Sequence, residues 1–181
     1  MKTIIFVRHG NARSGKVDLK RPLSKRGEKQ AKVRAAELSE IGLGSVDLVI
    51  SSTATRAQET AKLVFGANAW DIDPELYAAC MAEGITEAYA KLGASAPSTE
   101  WIKKYPRLWG VCEHHAAETK KLIEKHAYAE TIAIVAHGTI LNAVAVEFVG
   151  DAVLKKLILE FTFPEGGSIA IRNGRTVSFH V

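Results

Sequence analysis

The sequence predicts an α/β fold, a three-layer α/β/α sandwich around a mostly parallel central sheet, on the strength of three observations. Strand-like apolar runs alternate with segments of helical periodicity along most of the chain. Two of those runs, TIIFV at 3–7 and TIAIVA at 131–136, break off abruptly into Arg8-His9-Gly10 and His137-Gly138, as buried parallel strands do where they deliver a side chain to the carboxyl edge of a sheet. The chain has 181 residues, 47% of them apolar, enough to bury a sheet between helices in one domain over residues 1–181.

Composition narrows the classes of function. No apolar run is long enough to span a bilayer, and Met1-Lys2 followed by a five-residue apolar run and Arg8 is too short for a secretory signal. Cys80 and Cys112 are the two cysteines. They lack metal-site spacing or a disulfide framework, so a reducing, cytoplasmic setting is expected. The net charge of +4 is uneven: residues 13–34 carry nine Lys or Arg against Asp18 and Glu28, an excess of +7, which leaves the rest slightly acidic. Such a segment raises the local concentration of an anionic substrate, although a solvated helix face with its loop has the same composition. It lacks the interleaved aromatics of a nucleic-acid surface, so no nucleic-acid partner is expected.

The elements follow in order. After the strand at 3–7 comes a polar loop to about residue 22, then a helix near 24–41 with Ser24 as N-cap and Ala31, Ala35, Leu38 and Ile41 on one side, ended by Gly42-Leu43-Gly44. A short buried strand at 47–51 leads to a helix near 54–65, with Ala57, Ala61, Val64 and Phe65 at helical spacing. Asp71 to Pro74 reads as an edge strand, because Pro74 cannot donate to a central ladder. Residues 84–92 read as a short helix and 93–98 as a loop. A helical stretch from about 99 to 126 is interrupted near Pro106 and Gly110. The strand at 131–136, a helix at 139–149 and a hairpin from Gly166 to Val181, turning at Asn173-Gly174, complete the chain.

A lone histidine at a strand end is commonly a hydrogen-bonded structural residue. Two that echo each other at one sheet edge imply one shared site, since imidazole titrates near neutrality. Arg8, at a buried strand end, needs an anion to offset its charge. Arg56 falls in the first turn of the helix that follows the hydroxyl-rich Ser51-Ser52-Thr53 loop, where the helix dipole disfavours a cation unless an anion sits beside it. Its planar fork matches phosphate oxygens in a way that lysine does not.

These residues resemble the histidine phosphatase superfamily, with its phosphoglycerate-mutase-like fold. The resemblance rests on Arg8-His9-Gly10, on Pro22-Leu23-Ser24 with Gly27 and Gln30-Ala31, on Ser52 with Arg56-Ala57 and Thr60-Ala61, and on His137-Gly138, in family order over residues 3 to about 172. It implies that His9 is the nucleophile that becomes phosphorylated, that Arg8, Arg56 and His137 hold the phosphoryl oxygens, and that Gly10, Asn11 and Gly138 join them in binding substrate. Phosphoryl transfer needs an in-line nucleophile and donors aimed at the equatorial oxygens. His9 must be neutral to attack, with its other ring nitrogen bonded, for instance to a backbone carbonyl. Two arginines and a histidine supply the charge that a metal ion supplies elsewhere, so neither a metal nor another cofactor is expected.

The chain departs from the family pattern at the general acid. Many members carry a glutamate shortly after a leucine in the segment following the Arg56-type helix. Here Leu76 is followed by Tyr77-Ala78-Ala79, which leaves Glu83, and after it Glu75, as the acid candidates. An alkoxide leaving group needs a proton, whereas imidazole leaves neutral once its other nitrogen is protonated. The chain therefore also resembles the small bacterial phosphohistidine phosphatases related to SixA, although its 94–128 helical stretch is longer than that type requires.

The function expected is hydrolysis of a phosphohistidine protein or small phosphomonoester. A phosphoglycerate-type mutase and a catalytically silent module that binds phosphorylated ligands are the alternatives. Trp101, Tyr105 and Trp109 would share a helix face if Pro106 permits and are expected to pack against the domain. His114, His115 and His126 are expected on an exposed face, without the i, i+4 spacing of zinc ligands.

Overall fold

A computed structural model describes residues 2–66, 70–93 and 96–180. Six strands, β1 (Thr3–Arg8), β2 (Leu48–Ser52), β3 (Trp70–Asp73), β4 (Thr131–Ala136), β5 (Ser168–Arg172) and β6 (Arg175–His180), form one sheet in the order β3-β2-β4-β1-β5-β6. The β3-β2-β4-β1 part is parallel, and β5 and β6 add antiparallel. β1 and β4 are near-continuous apolar runs because helices cover both of their faces.

Alternation along β1 sorts the core. Ile5 and Val7 pack with Ala31 and Leu38 of α1 (Lys25–Glu40) and with Ala57 and Ala61 of α2 (Thr55–Phe65). Ile4 and Phe6 face the other side. There they meet α3 (Glu75–Ala78), α4 (Ile85–Leu92), α5 (Ser98–Lys104), α6 (Pro106–Lys125), α7 (Gly138–Val146) and α8 (Ala152–Glu160). The expected three layers and mostly parallel sheet are found.

Several elements differ from the expectation. The 99–126 stretch is two helices: Tyr105, with φ −135° and ψ 58°, separates α5 from α6, because the residue before a proline is pushed out of the helical region. Gly110 does not interrupt α6. Trp101, Tyr105 and Trp109 therefore share no single helix, yet both tryptophans are buried. Helix α8 carries no strong signal in the sequence, since Ile158 is its one buried residue while Val153 and Leu157 are exposed. Its trace is Asp151, whose side chain caps it by accepting from the Leu154 N–H at 2.8 Å.

His115 and His126 are not free surface histidines: His115 Nδ1 lies 2.5 Å from Glu75 Oε2, and His126 Nε2 lies 3.1 Å from Asp71 Oδ2. His114 is exposed. The 93–98 loop lies in part outside the described residues, as does Val181. The hairpin turns at Asn173 (φ 50°) and Gly174 (φ 73°), both left-handed, as a two-residue turn between twisted strands requires.

Candidate active site

The register of β1 on β4 pairs Arg8 with Ala136, so the two strands release His9 and His137 side by side at the carboxyl edge. The His9 N–H donates to the Ala136 carbonyl at 3.0 Å, and the two imidazoles stand edge to face with centroids 4.9 Å apart. His9 Nδ1 is 2.8 Å from the Gly10 carbonyl. A carbonyl only accepts, so Nδ1 carries the hydrogen and Nε2 presents its lone pair. Burial, reinforced by the charges of Arg56 and Arg8, pushes the His9 pKa down to about 3, and the ring is neutral at physiological pH.

Arg56 joins the parts of the site. Its Nε donates to His9 Nε2 at 3.1 Å, Nη1 donates to the Asp18 carbonyl at 2.8 Å, and Nη2 donates to Asp18 Oδ2 at 2.9 Å. Nη2 also reaches His137 Nδ1 at 3.4 Å. Asp18 is thus the anion that a buried arginine at the start of α2 requires. Thr60, one turn on, accepts from the Gly10 N–H at 3.0 Å and donates to the Arg56 carbonyl at 2.7 Å. It clamps α2 to the end of β1.

His137 is the N-cap of α7 and is 4% exposed. With Arg56 donating toward Nδ1, its hydrogen lies on Nε2, 3.0 Å from Ser52 Oγ. Burial, then the neighbouring His9 and Arg56, holds its pKa well below the usual histidine range. Arg8 donates through Nη1 to the Phe163 carbonyl at 2.6 Å. Burial lowers its pKa, against the opposing pull of Tyr89 and Glu165.

Arg8, His9, Arg56, His137 and Gly138 line one cavity of about 390 Å³. Gly10 and Asn11 are not among the residues that line it, although Asn11 Nδ2 donates to the lining Glu165. An ideal Cβ on Gly10 would lie 2.6 Å from the Gly27 carbonyl oxygen, so glycine is required there by close backbone approach rather than by ligand contact. Glu83 is exposed in the turn before α4 and is not among the lining residues. Glu75 is turned away onto His115. Thus neither Glu75, at the start of α3, nor Glu83, between α3 and α4, reaches the cavity.

Two carboxylates that sequence reasoning passed over, Asp18 and Glu165, do line it. Burial raises the Asp18 pKa, but hydrogen bonds from Arg21 and Tyr77 and the Arg56 guanidinium outweigh that and bring it to about 2. Asp18 was legible only as an acid inside a basic run, and Glu165 only as the charge in a Phe-Pro-Glu-Gly-Gly loop far from every motif. Of the nine basic residues at 13–34, Arg21 lines the cavity. Arg34 is buried elsewhere, on Glu37 and the Gly166 carbonyl.

Residues 4–157 match the family model described as histidine phosphatase superfamily (branch 1). Among curated proteins, the mitochondrial serine/threonine-protein phosphatase Pgam5 of Drosophila ananassae is 39% identical over 82 residues, which is 45% of this chain and 28% of that protein. The chain thus spans well under two thirds of the length of that relative. Among solved structures, the protein histidine phosphatase SixA complexed with tungstate superposes with a TM-score of 0.61 at 16% identity, over 99% of this chain and 94% of that one. The alpha-ribazole phosphatase of Shigella flexneri gives 0.64 at 20% identity, over 98% and 95%. At these identities the likeness is one of fold.

Proposed function

Because this chain belongs to the histidine phosphatase superfamily (branch 1), we propose that it is a phosphatase that moves a phosphoryl group from a phosphohistidine or small phosphomonoester onto His9 and then to water. The observation that carries this reading is the state of His9: neutral, with Nδ1 tied to a carbonyl and Nε2 presented beside Arg56 in a cavity shared with Arg8 and His137. A buried histidine with no chemistry to perform gains nothing from two neighbouring guanidinium groups, which make it harder to protonate.

In the first step Nε2 attacks phosphorus in line, the N–P bond forms, and the bond to the leaving oxygen or nitrogen breaks with its electron pair departing on the leaving group. Arg8 and Arg56 hold the equatorial oxygens, where negative charge gathers, and His137 joins them once its Nδ1, which accepts from Arg56 in the resting site, takes up a proton. For this to happen the outer nitrogens of Arg56 must let go of Asp18, and its Nε–H must release the His9 Nε2 lone pair. In the second step water attacks the phosphohistidine, the N–P bond breaks, and phosphate leaves with His9 again neutral. Gly138, at the start of α7, brings the N-terminal end of that helix to the same cavity.

Turnover of p-nitrophenyl phosphate and of a phosphohistidine peptide, with His9→Ala alongside, tests the reading. The expected result is phosphate release by the wild-type chain, an acid-labile, base-stable phosphoryl group on His9 after a rapid quench, and at least a thousandfold loss in His9→Ala. Phosphate binding without turnover of either substrate would instead make the chain a silent phospho-ligand module, and isomerisation of phosphoglycerate faster than its hydrolysis would make it a mutase.

A further inference from the structure

The two carboxylates of the cavity are not equivalent. Asp18 is committed: Oδ2 accepts from Arg56 and from the Tyr77 hydroxyl, both at 2.9 Å, and Oδ1 accepts from Arg21 at 2.8 Å. Three donors, two of them cationic, keep it an anion, and it has no proton to give. Glu165 accepts its hydrogen bonds from a neutral donor, and the charge of Arg8 acts on it as well. Its Oε1 and Oε2 accept from Asn11 Nδ2 at 3.1 and 2.9 Å.

The orientation of that amide fits a chain of bonds. Ser24 Oγ accepts from the Gly27 N–H at 3.1 Å, and its hydroxyl donates to Asn11 Oδ1 at 2.7 Å. The Asn11 carbonyl oxygen is thereby occupied and its NH2 faces Glu165. The backbone around Glu165 is fixed against the reacting residues themselves: the Phe163 carbonyl accepts from Arg8, the Gly166 N–H donates to the His9 carbonyl at 3.2 Å, and the Gly166 carbonyl accepts from the buried Arg34. A carboxylate on the wall of the His9 cavity, held by a neutral amide and mounted on a loop bonded to Arg8 and His9, is a group placed for proton transfer.

Resting on the phosphatase reading above, we propose that Glu165 carries the proton for the leaving group and then receives one from the attacking water. A phosphomonoester that binds as its monoanion brings one proton. Glu165 accepts it and passes it to the leaving oxygen as the P–O bond breaks, which leaves an alcohol and a carboxylate. In the second step the carboxylate takes a proton from water as the new O–P bond forms and the N–P bond to His9 breaks, and it returns that proton to the phosphate, which departs as its monoanion and leaves Glu165 a carboxylate for the next turnover. Glu165, not Glu83, thus fills the place of the acid that the segment after α2 lacks.

Glu165→Gln tests this, because glutamine still accepts from Asn11 but cannot carry a proton. The wild-type chain and the variant are compared on p-nitrophenyl phosphate, whose leaving group departs as an anion, and on a phosphoserine peptide, whose alkoxide cannot. The variant is expected to lose less than tenfold in kcat/KM on the first and a hundredfold or more on the second, with Glu165→Asp recovering part of the second loss. An equal loss on both substrates would reduce Glu165 to a structural role and overturn the proposal. So would a wild-type chain that hydrolyses the nitrophenyl ester but not the phosphoserine peptide. A wild-type chain that hydrolyses neither and forms no phosphohistidine would overturn the phosphatase reading itself, and this assignment with it.

Discussion

Arg56 is locked to Asp18 by two hydrogen bonds, Nη1 to the main-chain carbonyl at 2.8 Å and Nη2 to the carboxylate at 2.9 Å. The outer nitrogens of the guanidinium, the ones a phosphoryl group would meet, are therefore already taken by Asp18, one by its main-chain carbonyl and one by its carboxylate.

Removing that competitor should tighten anion binding. The Asp18 side chain is 47% exposed, so its ion pair is worth roughly 1 kcal/mol or less. Asp18→Ala should bind inorganic phosphate about two- to fivefold more tightly than the wild type, by calorimetric titration. Weaker binding in the variant would show that Asp18 aims Arg56 rather than competing for it.

Gly10 and Gly27 pack backbone to backbone beneath the site. An ideal Cβ on Gly27 would run into the Asn11 carbonyl oxygen, and one on Gly10 would lie 2.6 Å from the Gly27 oxygen. Main chain blocks both positions, so no side-chain rotation relieves the clash. Gly27→Ala should cost about 2–3 kcal/mol and lower the melting temperature by several degrees. It should also weaken turnover, because Asn11 and the end of β1 must shift. An unchanged melting temperature would refute the close approach.

The buried histidines make stability depend on pH with a definite sign. His9 has a folded-state pKa of about 3 against about 6.5 unfolded, and His137 is lowered as well. Below the unfolded value the unfolded chain binds more protons than the folded one. Stability is therefore full above about pH 6.5 and falls by about 1.4 kcal/mol per pH unit for each such histidine as pH drops toward the folded value. Denaturant melts between pH 7 and 4 should show this slope, and His9→Ala should remove one histidine's share of it. By the same value, protonation of His9 in the free enzyme does not limit kcat/KM at any pH above about 4.

Much of this was legible in the sequence. The apolar runs that end at Arg8-His9-Gly10 and His137-Gly138 state the parallel strands, and the Asn173-Gly174 pair states the hairpin, because buried strands and left-handed turns constrain residue type locally. Ser24 as a cap and Arg56 at the head of α2 were readable for the same reason. Helix α8 was not, since a mostly exposed helix carries little apolar periodicity.

The proton donor was not legible either. Local patterning tells which residues a strand or helix presents at its end, and that determined Arg8, His9, Arg56 and His137 as neighbours at one sheet edge. Asp18, in a short 3-10 turn 38 residues before Arg56, and Glu165, in a loop 154 residues after Asn11, reach the same cavity. Their places depend on which carbonyls and amides pair across the folded chain, on Phe163 with Arg8, Gly166 with His9, and Asn11 with Ser24. Only tertiary structure decides such pairings, because no periodicity or residue preference along the chain encodes which distant backbone group a loop will meet.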